Sequence, residues 1–266
     1  MESSARTRPE RLWGAVGVGI LAGFLAGLFG VGGGILIVPG LVLLLRIDQR
    51  LAHGTSLAAI VPIAAGGIVG FWIDDSVDWV AAGFLSLGAA AGAVAGTRAL
   101  QQLAPRVLRV AFAALLIATA VWLFVETSEA TGRGELTLLL ALALVALGIF
   151  AGVVAGLFGV GGGAVIVPAL VLLFAVPDPI AKGTSLVVIL PTALAGTLRN
   201  IRYRNTDLRV AAATGVSGVI AAYAAAQLAV RLDARLSSVL FGVLLLAVAA
   251  RMLLTADRIS GGQAQI

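Results

Sequence analysis

One segment of this chain occurs twice. Residues 26–39 read AGLFGVGGGILIVP and residues 155–168 read AGLFGVGGGAVIVP, identical at twelve of fourteen positions with an offset of 129. The register holds without a gap over the rest of the chain. Gly54-Thr55-Ser56-Leu57 returns as Gly183-Thr184-Ser185-Leu186, Pro62 as Pro191, Asp78 as Asp207, Leu103 as Leu232, Arg106 as Arg235 and Phe112 as Phe241. A period this long, repeated once, makes the molecule two copies of one structural unit. The predicted organisation is an N-terminal segment at 1–11, a first repeat at 12–126, a polar linker at 127–135, a second repeat at 136–256 and a tail at 257–266.

The solvent of each unit is lipid. The chain is 60% hydrophobic and 12% charged, with a mean hydropathy of +1.08, against about half apolar and a quarter charged in a soluble domain. Ala15–Leu45 and Leu136–Ala175 contain no ionisable side chain, and both exceed the roughly 20 residues that span a hydrocarbon core. Arg6, Arg8 and Arg11 before the first apolar run resemble the start of a signal peptide, but that run belongs to the repeat, so it is expected to be retained as a helix.

Each half divides into five apolar segments, in the first half near 12–29, 34–46, 54–73, 78–98 and 104–125. The second is short. Thirteen residues give about 20 Å, against a core of about 30 Å, which suits a half-helix or re-entrant element broken from its neighbour at the glycine run. The predicted fold class is therefore an all-α polytopic membrane protein.

Charge sets the orientation. With a cytoplasmic N-terminus and sides alternating from there, all of the 18 Lys and Arg face the cytoplasm except Arg133, Lys182, Arg231 and Arg235. Matching loops carry opposite bias: Trp72–Asp78 holds three acids and no base, while Ile201–Asp207 holds Arg202 and Arg204. The positive-inside rule places those loops on opposite faces and predicts an inverted-topology repeat. A parallel duplication with an even number of crossings is the alternative. Inverted repeats characterise secondary transporters, whose substrate sites lie at broken helices near the midplane.

Candidate site residues follow from the breaks. Gly32, Gly33 and Gly34, and again Gly161, Gly162 and Gly163, each precede a short apolar helix and leave backbone N–H groups free at its positive dipole end, which suits an anion. Close helix packing is the competing explanation for these glycines. Thr55 and Ser56, with Thr184 and Ser185, open the third segment, where hydroxyls either cap a helix or donate to a bound oxyanion. His53 and Lys182 precede those pairs, as anion attractors at a mouth of the pathway or as interfacial snorkellers. Pro62 and Pro191 are hinges or packing kinks.

Several chemistries are excluded. With no Cys and one His, thiolate and His-rich metal sites are absent, and no cofactor is expected. The glycine run lacks the Lys-Ser/Thr of a phosphate-binding loop and is followed by no βαβ unit, so an ion or substrate gradient must drive any transport. Nucleic acid is not an expected partner, because the Arg residues lie between apolar segments. No carboxylate sits deep within an apolar segment, which argues against a buried acidic proton relay, although a proton can travel on the substrate. The rival functions are an intramembrane serine hydrolase built on Gly215-Val216-Ser217-Gly218 with His53 as base, and a non-transporting membrane assembly subunit. The chain is expected not to be an enzyme.

The doubled AGLFGVGGG…P…GTS pattern, at Ala26–Ser56 and Ala155–Ser185, resembles the TauE/SafE sulfite exporter family, also called the toluene sulfonate uptake permeases. The resemblance covers about residues 12–256. It implies a permease of the bacterial inner membrane that handles a small sulfur-containing anion such as sulfite or an organosulfonate. It places binding on the two glycine runs and the two Thr-Ser pairs. A homodimer and proton coupling are compatible with it.

Overall fold

The computed structural model describes residues 8–125, 134 and 137–254; the expected linker and both extreme termini lie largely outside these. Among the described residues the chain forms ten helices and no strand. The first half holds α1 (Arg8–Phe29), α2 (Gly34–Leu44), α3 (Gln49–Ile73), α4 (Trp79–Gln102) and α5 (Pro105–Val125). The second holds α6 (Leu138–Phe158), α7 (Gly163–Phe174), α8 (Asp178–Arg202), α9 (Leu208–Ala229) and α10 (Ala234–Leu254). Adding 129 to α3 or α5 gives the bounds of α8 or α10. Seven helices are long and apolar enough to cross a membrane; α2, α7 and the apolar part of α5 are shorter. At 11 residues, α2 is about 16 Å long, roughly half a hydrocarbon core.

The third segment begins earlier than its sequence suggests. Asp48 caps α3 by accepting the Arg50 N–H at 3.0 Å, and α8 opens on Pro177, Asp178 and Pro179. Gly-Thr-Ser therefore lies in the second turn, too deep to cap its own helix.

The halves interlock, and the main contacts between helices have repeat-exchanged counterparts. Helix α1 packs on α9 and α6 on α4; α3 packs on α9 and α8 on α4. Phe29 stacks on Phe241 with centroids 5.0 Å apart, and the counterpart rings Phe158 and Phe112 stack at 4.9 Å. Glycine positions give the helix directions. A Cβ at Gly67 would fall 2.6 Å from Leu186 Cδ1, and one at Gly196 would fall 2.8 Å from Leu57 Cδ1, so the equivalent helices α3 and α8 run antiparallel. Gly19, Gly23 and Gly27 meet Thr214, Gly218 and Ala222 in order, so α1 and α9 run parallel.

Four-residue glycine spacing makes the inter-repeat seams. Gly88, Gly92 and Gly96 of α4 face α6, whose Gly148, Gly152 and Gly156 face back. A Cβ at Gly92 would stand 2.2 Å from the Ile149 carbonyl oxygen, a backbone atom that cannot move aside alone. Helices approach this closely in lipid because contact and dispersion replace the hydrophobic effect as the driving force. Gly92→Val is expected to separate α4 from α6 and to cost at least the roughly 1–3 kcal/mol of overpacking. The check is thermal unfolding of the purified protein in detergent, where a wild-type midpoint would refute the seam.

Candidate functional site

Each short helix starts from a backbone that only glycine adopts readily. Gly30, Gly32 and Gly33 have φ of 69, 70 and 78°, and Gly159, Gly161 and Gly162 have φ of 68, 83 and 87°. An L-residue held in that left-handed region costs about 1–2 kcal/mol. Gly33 and Gly162 are the N-caps of α2 and α7, and as glycines they offer the helix N–H groups no side-chain acceptor.

The backbone bonds stop at the break and resume beyond it. Gly30 N–H donates to Ala26 O at 2.8 Å, and the next donors are Leu36 and Ile37, both to Gly33 O at 3.0 Å. Among the described residues, the N–H groups of Val31 to Ile35 have no acceptor. In the second half Gly159 donates to Ala155 O at 2.8 Å and Val165 to Gly162 O at 3.0 Å, leaving the N–H groups of Val160 to Ala164 likewise. All these residues are buried. Buried backbone donors without partners are rare in folded proteins, because each forfeits hydration and gains nothing. The molecule holds two such runs, one in each half.

The structure brings the runs together. A Cβ on Gly34 would lie 2.5 Å from Val160 Cα, and one on Gly163 would lie 2.5 Å from Val31 Cα. Ile60 of α3 and Ile189 of α8, both fully buried, close the space: their Cγ2 atoms would each stand 3.1 Å from a Cβ on Gly32, and Ile189 Cγ2 3.1 Å from one on Gly161. In this conformation the Ile60 and Ile189 side chains pack directly against both runs.

The hydroxyl pairs divide their labour. Thr55 Oγ1 accepts the Asp207 N–H at 3.0 Å, and Thr184 Oγ1 accepts the Asp78 N–H at 2.9 Å. Asp78 and Asp207 are the N-caps of α4 and α9, so each threonine of one half anchors a helix start in the other. Ser56 Oγ donates to Gly159 O at 2.8 Å, which ties α3 to the opposite glycine run. Its counterpart Ser185 is fully buried, and its hydroxyl has no partner among the described residues.

His53 and Lys182 are buried within the protein, at 2% and 1% exposure, so neither side chain snorkels to water here. His53 Nδ1 donates to Leu157 O at 2.8 Å, since a carbonyl can only accept. Lys182 Nζ donates to Ser237 Oγ at 2.5 Å and pairs with Asp178 Oδ2 at 2.5 Å. The residues of the rival hydrolase are engaged apart: Ser217 Oγ donates to the carbonyls of Val16 and Thr214.

Sequence reasoning missed Ile60, Ile189, Asp178 and Ser237. Asp178 and Ser237 stand where the first half has Gln49 and Leu108, and that break in the repeat was the available signal. It also missed an apolar pocket of about 450 Å³ between α1, α2 and α10, which follows α2 from Leu44 to Leu36, two residues past Gly34. Gly14, Gly17, Gln49 and Arg251 put this pocket at the end of the molecule where α1 and α3 begin.

Residues 2–135 and 144–265 match a family described as sulfite exporter TauE/SafE. A probable membrane transporter protein of Xylella fastidiosa strain 9a5c is 30% identical over 241 residues, 88% of this chain and 92% of the relative. The probable membrane transporter protein YunE of Bacillus subtilis strain 168 is 26% identical, over 69% of this chain and 76% of the relative. A probable membrane transporter protein of Haemophilus influenzae is 35% identical over 57% of this chain and 59% of the relative.

Proposed function

We propose that this chain, which belongs to the sulfite exporter TauE/SafE family, is a secondary transporter that carries a small anion, sulfite or an organosulfonate, between its two repeats. The observation that carries this reading is the pair of facing, buried glycine runs whose N–H groups at Val31–Ile35 and Val160–Ala164 lack acceptors. Gly32, Gly33 and Gly34 would hold the anion from one half and Gly161, Gly162 and Gly163 from the other. A compact oxyanion has the lone pairs these donors need, and helix dipoles of α2 and α7 favour its charge. Ser185 adds a free hydroxyl at the same level of α8, and Ser56 adds one that would have to release Gly159 O. Thr55 and Thr184 contribute by fixing α9 and α4.

Alternating access suits this symmetry. If α3 and α8 cross the bilayer, their antiparallel course puts the pseudo-two-fold axis in the membrane plane, so the halves are inverted and the breaks meet near the midplane. The N-terminus then faces the cytoplasm of a bacterial inner membrane, because the basic ends of α1, α3, α8 and α10 share one side. A chain without cysteine allows a direct check. Asp75→Cys, between α3 and α4, should react with a membrane-impermeant maleimide from outside the cell, and the counterpart Arg204→Cys only in inside-out vesicles. Labelling of both from one side would contradict the inverted arrangement.

The function itself is tested by flux. Purified protein in liposomes should take up radiolabelled sulfite or a small sulfonate above empty liposomes. Folded protein that moves no sulfur anion would overturn the substrate class and leave the fold untouched.

A further inference from the structure

The pocket of about 450 Å³ between α1, α2 and α10 has aliphatic walls, and Gln49 and Arg251 carry the only polar side chains on its lining. It opens on the outside of the bundle. Gly17 and Leu21 of α1, Leu44 at the end of α2 and Arg251 of α10 all line it and are exposed. Since α1 and α10 are long and apolar enough to cross a membrane, that outside is lipid. From Gly14 to Leu21 the pocket follows α1 for about 10 Å, and from Leu44 to Leu36 it follows α2 for about 12 Å. Arg251 and Gln49 stand at the end where α1 and α3 begin, and everything deeper is apolar.

Glycine makes the space. A Cβ on Gly17 would meet nothing within 4 Å, whereas one on Gly19 would fall 2.1 Å from the Thr214 carbonyl oxygen. Glycine inside a helix is unfavourable against alanine, and at Gly17 no close neighbour offsets that cost. The repeat supplies the contrast. At the offset of 129, Gly14, Gly17 and Gly40 become Ala143, Ala146 and Ala169, while Leu21 becomes Phe150. Trp122 stands for Arg251, and Asp178 for Gln49. The second half therefore has larger residues along the same wall and an acid where the first half has a neutral amide.

We infer that this pocket is a lipid site, which takes one acyl chain of an anionic phospholipid between α1, α2 and α10 and sets the phosphate on Arg251. An apolar cavity stays dry, so a cavity open to hydrocarbon fills with hydrocarbon. A guanidinium at its polar end matches a phosphate in shape and charge, and basic pockets between transmembrane helices take anionic head groups. The chain ends and connection that frame it add Arg8, Arg11, Arg46 and Arg50 against Glu10 and Asp48. Asp48 is already engaged, because its carboxylate accepts the Arg50 N–H at 3.0 Å. The acyl chain then braces α2 along a face that ends two residues from Gly34, so this lipid reaches the helix that opens at the first glycine run. The inference stands on the membrane setting and on this cavity, and not on the anion-transport reading.

Native mass spectrometry of the full chain released from detergent reads the bound lipid directly. Purified protein is mixed with phosphatidylglycerol or with phosphatidylcholine carrying the same acyl chains. The wild type should retain a single phosphatidylglycerol per chain, and phosphatidylcholine several-fold less. Gly17→Leu puts a side chain into the groove without meeting a neighbour at its Cβ, so it should unfold at the wild-type temperature in detergent yet lose phosphatidylglycerol several-fold. Arg251→Gln should bring phosphatidylglycerol down to the phosphatidylcholine level, and Arg251→Lys should restore most of it. Equal retention of the two lipids by the wild type overturns the inference, as does full retention of phosphatidylglycerol by Gly17→Leu. If Arg251→Gln does not fold, the Gly17→Leu result decides. Lipid-free dimers that Gly17→Leu dissociates would give this face to a second copy of the chain, and would overturn the inference as well.

Discussion

Gly32→Val, and equally Gly161→Val, should abolish anion transport in a protein that still inserts and unfolds cooperatively. Gly32 sits at φ 70°, where a β-branched side chain is strained by more than the usual 1–2 kcal/mol. The steric conflict itself is mild, because the nearest atoms are the methyl groups of Ile60 and Ile189 at 3.1 Å, and side chains can give by tenths of an ångström. The cheap relaxation turns the run toward negative φ, which swings the free N–H groups of Val31 to Ile35 off their common site. Chemistry is lost and packing survives. Gly92→Val behaves oppositely, since its obstacle is the Ile149 carbonyl at 2.2 Å and the helices themselves must part. Measuring uptake and thermal unfolding on both variants separates glycines that bind from glycines that pack. Wild-type uptake by Gly32→Val would remove the first run from the site.

Lys182→Met should destabilise the protein by about 3–5 kcal/mol, the usual consequence of leaving one member of a buried pair uncompensated. The Asp178 side chain is only 9% exposed, and the lysine is the ion-pair partner of its Oδ2. Lys182→Met combined with Asp178→Asn removes both charges and should recover most of that loss, because a neutral, similarly sized pair no longer carries a desolvated ion. Unfolding midpoints of the two single variants and the double variant give the coupling directly. A Lys182→Met protein as stable as the wild type would mean that water reaches Asp178, and the pair would then be no more than a surface contact.

Much of this fold was legible because a repeat states its own boundaries. The 129-residue offset marks the helices twice, and the run GVGGG marks where α2 and α7 break from α1 and α6. The apolar pattern starts the third segment near residue 54, but Asp48 captures the Arg50 N–H and begins α3 at Gln49. Helix pairing was not readable. Gly19, Gly23 and Gly27 announce that α1 is approached closely, yet nothing local says that the approaching helix is α9 of the other half.

The site divides along the same line. The glycine runs and Thr-Ser pairs stand out by recurring, and the structure brings the runs together, Gly34 on Val160 and Gly163 on Val31. The roles of the threonines needed the structure, since a hydroxyl looks the same whether it holds a ligand or the Asp207 N–H. Asp178 and Ser237 escaped because a search for repetition passes over what occurs once. No carboxylate lies deep in an apolar segment by sequence, and Asp178 is the first residue of α8, yet its side chain is only 9% exposed and pairs with Lys182.

The central claim, that the unpaired amides of the two glycine runs hold the transported anion, is tested most directly by hydrogen exchange. Peptides spanning 30–36 and 159–165 of the purified protein are followed by mass spectrometry with and without saturating sulfite. The account predicts slower exchange in both peptides, because amides without acceptors gain one. Unchanged exchange in both, under conditions where the same protein transports sulfite, would place the anion elsewhere and leave the glycine runs as packing alone.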